Sequence, residues 1–246
     1  MIAAGLGSFA AFLLTFARAS GWTFSAPLTG DATFAARFRL ATAFVIALAL
    51  APLRGAVPFS ALPAMLPAEI LAGLAVGLIA RILLAGAEAG GQLLGLAMEL
   101  GFAGQFDPSL REQVIATRKM AWSVAGLAFL GAGGLESSVR ALAVPVGERF
   151  TVGHVVPALV DATNEVIPLG LRAAAPLIIA ALVANVAVAI ASRAAPAINV
   201  FTVMLPMLLV VGGAVLIWDA PALTAELHRD ARHAIDGALR LAVVMR

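Results

Sequence analysis

The side chains of this chain that could do chemistry lie inside apolar sequence. Glu69, Glu88 and Glu99 recur through one long apolar stretch. A carboxylate at membrane depth is costly unless it faces a partner or a wet cavity. Glu88 and Glu99 could therefore carry protons, as in a pump, or form ion pairs with Arg81 or with a neighbouring subunit. Of these two roles, the residues favour ion pairing.

Other kinds of reactive site have less support. The chain has no cysteine, which excludes a thiol nucleophile, a disulfide framework and a cysteine-ligated metal. It contains no Gly-x-Ser-x-Gly, no His-Glu-x-x-His and no P-loop. His228 and His233 would lie about 140° apart on a helix, which makes a poor metal pair, and His154 stands alone in a predicted polar loop. The sequence therefore predicts a protein that is not an enzyme and that has no cofactor or metal.

The composition indicates a membrane protein. Of the 246 residues, 62% are hydrophobic and 12% are charged, against about 45–50% and about 25% in soluble proteins. Apolar runs in lipid must satisfy their backbone polar groups internally, so they form helices. The expected fold is all-α and polytopic, with long helices and helical hairpins in one membrane domain. The net charge is only +2 and no basic stripe is present, so nucleic acid is not an expected partner.

Charges and prolines set the expected helix boundaries. A first helix is expected over about 1–20, a second over about 36–53, and a long third one over 67–103. The chain between the second and third is expected to be broken by Pro58, Pro63 and Pro67. Ser109-x-x-Glu112 has the form of a capping box, so a fourth helix is predicted to begin there and to end at Gly131, Gly133 and Gly134.

Small residues on the third helix are spaced for close packing. Its glycines form three small-xxx-small pairs: Gly73 with Gly77, Gly86 with Gly90, and Gly91 with Gly95. Such faces let two helices approach closely. General helix packing explains the pairs by themselves, but the charges interspersed among them favour packing against protein over packing against lipid.

Residues 101–112 interrupt the helical pattern. The interruption combines aromatic, glycine and helix-breaking residues: Phe102, Gly104, Gln105, Phe106, Asp107 and Pro108. Judged from these residues alone, Asp107-Pro108 and Ser109 simply start the next helix, with both phenylalanines buried. The other interpretation is a bendable loop whose apolar rings exclude water from a narrow lumen.

A helical hairpin is predicted over 168–218. Residues 173–192 and 194–218 are charge-free and each is long enough to span a hydrocarbon core. The corner and the second arm contain the residues that would shape the hairpin and its assembly: Arg193, Pro196, Asn199, Phe201 and Pro206, the last as an expected kink. The tail 221–246 is amphipathic, so it is expected to lie at an interface or against a partner.

Four of these segments resemble the FliR family, the membrane subunit of the flagellar type III export gate. They are 18–28 (RASGWTFSAPL), 69–77 (EILAGLAVG), 89–98 (AGGQLLGLAM) followed by Asp107-Pro108, and 193–201 (RAAPAINVF) with Pro206 and Gly212. They fall in the family's order across almost the whole chain. Ala97 and Glu99, which flank Met98, depart from the family pattern.

The resemblance implies a non-enzymatic subunit of the bacterial inner membrane and flagellar basal body. It implies assembly with FliP-like and FliQ-like subunits, beside a FlhB-like gate subunit and membrane lipid, into a pore for unfolded export substrates. It also implies a FliP-like part over 1–166, a FliQ-like hairpin and tail over 167–246, and a plug made by the loop near 101–112.

Two other functions compete with this one. The injectisome homologue of the virulence apparatus shares the same plan. A stand-alone transporter of ions or small molecules would suit the broken helices and the two carboxylates, but no internal repeat supports it.

Overall fold

The computed structural model describes residues 2–30, 34–98, 111–147, 152–194 and 200–244, and all regular structure within them is helical. The α-helices, in chain order, are α1 (Ile2–Ser25), α2 (Ala36–Arg54), α3 (Leu62–Ala97), α4 (Arg111–Gly131), α5 (Gly134–Ala143), α6 (Val152–Asn164), α7 (Val166–Ala194) and α8 (Val200–Val244). A short 3-10 turn, Phe59–Ala61, precedes α3. The predicted all-α fold is confirmed.

Helices α1 and α2 form an antiparallel pair close to the predicted bounds. Gly55 ends α2 with a φ of 77°, a conformation that glycine adopts without a steric penalty. The ring of Phe44 on α2 meets the rings of Phe12 and Phe16 on α1 edge-on. Its centroid lies 5.5 Å from that of Phe12 and 6.4 Å from that of Phe16. These aromatic contacts fix how the two helices pack.

Helix α3 begins earlier than predicted. It starts at Leu62, so Pro63 and Pro67 lie inside it rather than before it. Pro63 falls in the first turn, where backbone N–H groups have no partner within the helix and proline costs little. At Pro67 the helix continues at the cost of one backbone hydrogen bond. The predicted extension of this helix to residue 103 lies outside the described residues from residue 99 onward.

Two helices follow α4, in the region where the sequence predicts a polar loop around His154. Gly131 ends α4, Gly133 turns the chain with a φ of 80°, and α5 follows directly. The predicted polar loop around His154 is wrong, because this residue belongs to α6. Apolar residues at helical spacing favour a helix here, and Val155 of α6 is buried in the core.

The predicted hairpin consists of α7 and α8, and its corner at 195–199 lies outside the described residues. Helix α8 runs without interruption through Pro206 and Pro221 to Val244. The tail thus continues α8, and Ala238, Leu241 and Ala242 of its predicted interface face are instead buried in a core of this chain.

The chain divides into two compact units. The first consists of residues 1–84, 129–164 and 231–246, and its core joins α1, α2, α3, α5, α6 and the last turns of α8. The second consists of residues 85–128 and 165–230, and it includes a cluster of Ala181, Ala184 and Leu208 between α7 and α8. The predicted division into FliP-like and FliQ-like parts stays a prediction.

Within the described residues, four stretches are long and apolar enough to cross a membrane. They are Ala36–Arg54, Phe59–Ala97, Val155–Ala194 and Pro206–Val244.

Candidate functional site

The first unit contains a buried ion cluster formed by Arg18 of α1, Arg54 of α2 and Glu69 of α3. Nε of Arg18 donates a hydrogen bond to Oε2 of Glu69 at 2.6 Å, and Nη2 of Arg54 donates to Oε1 of the same carboxylate. Glu69 is 0% exposed and Arg18 is 4% exposed. Each oxygen of the carboxylate is therefore bonded to a different guanidinium group, and three helices meet at one side chain.

The cluster reaches a fourth segment through Arg18. Its Nη1 donates to the carbonyl oxygen of Leu142 at 3.1 Å and to that of Val144. These carbonyls lie at the end of α5, where the last turn of a helix leaves carbonyl groups without partners. A cation at this end is also favoured by the helix dipole. Arg18 thus joins α1 to α3 and to the end of α5.

Glycines on α3 make room for the cluster. A Cβ placed on Gly73 would collide with the backbone carbonyl of Arg18, and one on Gly77 would collide with Oγ of Ser25. On the facing helix, a Cβ on Gly21 would come within 2.5 Å of the carbonyl oxygen of Ile70. The backbones of α1 and α3 are therefore closer than side chains on both would allow, which brings Arg18 within reach of Glu69.

The ion cluster is suited to holding helices together. Both oxygens of Glu69 are occupied by donors of this chain, and the carboxylate has no exposed surface. Removing one member of a buried ion pair leaves an uncompensated charge, which costs about 3–5 kcal/mol. The two arginines and one carboxylate carry a formal charge of +1, and Nη2 of Arg18 is buried without a hydrogen-bond partner.

Glu88 and Arg81 are not brought together as an ion pair. Nη1 of Arg81 donates to the carbonyl oxygen of Gly30 at 2.9 Å, and Glu88 is half-buried on α3. Among the ion pairs of the described ranges, none joins these two side chains. Pairing of Glu88 with a neighbouring subunit stays a prediction, and Glu99 lies outside the described residues.

The remaining predicted glycines pack within the second unit. A Cβ on Gly90 would lie 3.1 Å from the carbonyl oxygen of Gly170 on α7, and one on Gly91 would lie 2.6 Å from Cβ of Ala121 on α4. Gly86 faces Leu169, also on α7, and Gly95 is buried. The later turns of α3 therefore pack closely against both α4 and α7.

The predicted plug residues 102–108 lie outside the described residues, as do Pro196 and Asn199 of the hairpin corner. Arg193 is exposed in the last turn of α7. Phe201 belongs to the first turn of α8, and Pro206 is exposed farther along the same helix. The roles predicted for these residues in the plug and in assembly stay predictions.

Sequence reasoning did not identify the ion cluster. The expectation that Glu69 faces a partner or a wet cavity names no partner for it, Arg54 is not among the predicted site residues, and Arg18 appears only in a family segment. One feature of the sequence could have indicated the cluster. All three residues are isolated charges that lie within apolar helices or at their ends. In the part of the chain that the structure describes, no group of three His, Asp or Glu side chains could hold a metal ion.

Comparison with known proteins identifies a family and several proteins that the chain resembles. Residues 9–233 match the family described as bacterial export proteins, family 1. The chain is 29% identical over 211 residues to flagellar biosynthetic protein FliR of Caulobacter vibrioides, which covers 81% of this chain and 84% of that protein. It is 30% identical over 227 residues to the protein of the same name from Aquifex aeolicus, covering 87% of each. With the Escherichia coli protein of that name it shares 29% identity over 197 residues, or 76% of each.

Proposed function

The chain belongs to the bacterial export proteins, family 1, and we propose that it helps to form and to plug the protein-conducting pore of the flagellar export apparatus. It is a FliR-type membrane protein of that apparatus, and its place is the inner-membrane part of the flagellar basal body. The observation that carries this function is the match over residues 9–233, together with similarity to flagellar FliR proteins over most of both chains. A member of this family is an export component and not an enzyme.

The exposed apolar surface supports assembly with other membrane subunits. In the most apolar window of Pro206–Val244, only 11% of the residues are buried inside the chain. Monomeric soluble proteins rarely expose large contiguous apolar patches, so lipid or other subunits must cover this one. The proposed occupants are FliP-like and FliQ-like subunits, with a FlhB-like subunit nearby and unfolded export substrates passing through the pore.

The function is tested by deleting the gene in the bacterium that encodes it and restoring the wild-type chain. The expected result is loss of flagellar filaments and of secreted filament protein, with recovery on restoration. Normal filament assembly in the deletion strain would contradict the proposal. Loss of uptake of a small solute with normal filaments would instead support a transporter.

The same deletion strain distinguishes a flagellar role from a role in the injectisome. The three relatives described above are all named as flagellar proteins, which favours the flagellar apparatus. Loss of virulence-protein secretion with intact flagella would reverse that choice.

The plug is proposed to be the segment 101–112, which joins α3 to α4. The family resemblance and the Phe-Gly-Gln-Phe-Asp-Pro composition support this role, since apolar rings in a narrow lumen block ions by dewetting. Changing Phe102 and Phe106 together to Ala, or deleting 104–109, is expected to leave the complex assembled but leaky to small ions.

A matched pair of phenylalanines controls for loss of aromatic surface. Phe34 and Phe38 stack at 5.5 Å near the start of α2, and both are exposed. Changing them to Ala should not raise ion conductance in cells carrying the assembled complex. A Phe102/Phe106 variant that assembles and is as tight as wild type would mean that this segment is not the plug.

The hairpin corner is proposed to stabilise assembly. Asn199 can bond to backbone groups freed near Pro196, and Arg193 can pair or reach the interface at the turn. Asn199→Leu or Arg193→Leu should lower the yield of the complex with FliP-like and FliQ-like subunits more than Arg229→Leu does. Arg229 is the control because it is also an exposed arginine, but on α8 and away from the corner. Equal yields in the three pull-downs would remove this role.

A further inference from the structure

Residues 231–244 of α8, called here the closing segment, complete the core of the first unit. The segment is amphipathic, with buried residues at spacings of three and four: Ala231, Ile235, Ala238, Leu241 and Ala242. Its other face is exposed and polar, with Arg232, His233, Asp236 and Arg240. The apolar face is therefore already used inside this chain.

The closing segment packs against helices that come much earlier in the chain. Ala238, Leu241 and Ala242 share one apolar cluster with Trp22 of α1, Val76 and Ile79 of α3, and Leu142 of α5. A Cβ placed on Gly237 would lie 3.5 Å from Cγ2 of Ile79, which is ordinary van der Waals contact. The family match ends at residue 233, so most of the closing segment lies beyond it.

The same apolar cluster borders the buried ion cluster. Leu142 contributes its side chain to the apolar cluster and its carbonyl oxygen to Arg18. Trp22 lies one helical turn after Arg18 on α1, and Ala72 lies one turn after Glu69 on α3. The closing segment therefore completes the apolar cluster that adjoins the ion cluster, and water entering there would screen and weaken the ion pairs.

We propose that the closing segment is a late folding element, without which the first unit cannot close. Synthesis proceeds from the N-terminus, so α1, α3 and α5 are made before the last members of the apolar cluster that contains Trp22, Ile79 and Leu142. A chain that stops before residue 231 leaves this apolar surface open and the ion cluster accessible to water. Closure of the first unit therefore distinguishes chains that contain the segment from shorter ones, before any partner subunit binds.

Docking of the segment is tested with a pair of cysteines, because the chain has none of its own. A disulfide requires two side chains that meet closely, and a Cβ on Gly237 would lie 3.5 Å from Cγ2 of Ile79, an atom position that Sγ of a cysteine at 79 can take. The variant Ile79→Cys with Gly237→Cys should cross-link under mild oxidation in membranes. Leu78→Cys with Gly237→Cys is the control, since Leu78 is exposed on α3. Absence of the test cross-link, or an equal rate for the control pair, would overturn docking.

The consequence of docking is tested by thiol labelling of the full chain in mild detergent. Ala75→Cys reports on the first unit and Ala184→Cys on the second, and both alanines are buried. Leu241→Asp, or a stop after residue 230, should raise labelling at position 75 by about tenfold or more through local opening, with no change at position 184. Val243→Asp is the matched control, because Val243 is 69% exposed whereas Leu241 is 3% exposed.

Two results would overturn the proposal. Position 75 could stay protected in both altered chains, which would mean that the first unit closes without the segment. Alternatively, positions 75 and 184 could become reactive together, which would mean that the segment holds the whole chain and not the first unit.

Discussion

The helical stretches Phe59–Ala97 and Pro206–Val244 are both apolar enough to cross a membrane, yet they have opposite surroundings. In the most apolar window of the first, 59% of the residues are buried inside this chain, against 11% in the second. Helix α3, which makes up most of the first stretch, is packed by its own chain through glycines and a buried carboxylate. Much of α8 has apolar side chains that this chain leaves uncovered.

This difference shows that apolar composition alone does not identify a lipid-facing helix. Glycine pairs and an isolated charge accompany close packing within the chain on α3, because both need protein neighbours. On α8, the residues from Pro206 to Trp218 include no charge, and Ile217 and Trp218 are among the most exposed side chains. Substitutions in the first stretch are therefore expected to lower the stability of the isolated chain, and substitutions in the second are expected to lower its assembly with other subunits.

The largest effect is expected at the ion cluster. Glu69→Leu would leave two buried guanidinium groups without their carboxylate and should destabilise the chain by about 3–5 kcal/mol. This is a large part of a typical folding free energy of about 5–15 kcal/mol. Thermal unfolding of the purified chain in detergent measures the loss.

The control for Glu69 is an exposed ion pair. Glu136 and Arg140 pair at 2.7 Å on α5 with both side chains largely exposed, and such pairs contribute about 0.3–0.5 kcal/mol. Glu136→Leu should therefore barely move the unfolding midpoint. Equal losses for the two variants would contradict the structural role of the buried cluster.

Two tryptophans extend the comparison, because Trp22 of α1 shares a core cluster with Val76 of α3. Trp22 is 2% exposed in the core of the first unit, whereas Trp218 on α8 is 89% exposed. Trp22→Ala should cost about 3–5 kcal/mol in the isolated chain, and Trp218→Ala should stay within about 0.5 kcal/mol. The yield of the purified complex should nevertheless fall for Trp218→Ala. A Trp218 variant that destabilises the isolated chain as much as the Trp22 variant would mean that Trp218 is needed for the fold of this chain and not only for assembly.

A smaller loss is expected from crowding of the α1–α3 contact. Gly73→Val would place side-chain atoms against the backbone carbonyl of Arg18, and overpacking of this kind costs about 1–3 kcal/mol. Gly213→Ala on α8 is the control, because a Cβ there meets nothing within 4 Å. That variant should be neutral, or more stable by up to about 1 kcal/mol through helix propensity. The free energies of unfolding of both variants measure the difference, and a tolerated Gly73→Val would contradict the close approach.

Much of the helical layout was predictable, for identifiable reasons. Charge and glycine boundaries located α1, α2 and the end of α4 to within a few residues of their observed limits. The start of α3 was missed because Pro63 reads as a break, although proline is tolerated in a first turn. The amphipathic tail 221–246 is predicted to lie at an interface or against a partner, but α8 continues through Pro221 and much of its apolar face is buried in this chain.

The site was less predictable than the helices. Arg18 and Glu69 lie 51 positions apart in the chain, and Arg18 bonds to Leu142 across 124 positions. Nothing in the local spacing of one sequence indicates such a pairing, because it depends on how closely α1 and α3 pack. The amphipathic pattern of 221–246 was recognised, but whether its apolar face meets lipid, a partner or this chain depends on the tertiary fold.

The main proposal is contact between the uncovered apolar faces of the hairpin and other subunits of the flagellar export apparatus. Its most direct test places a photo-crosslinking amino acid at Ile217, which is 79% exposed on α8, in cells whose flagella assemble with this variant. A second position, Arg140, is the control, because it lies on the exposed polar face of α5 in the first unit. We expect irradiation to join position 217 to a FliP-like or FliQ-like subunit, identified by mass spectrometry, and position 140 to give less of that adduct. Irradiation of flagellated cells that yields no adduct between position 217 and any export subunit would contradict the proposal.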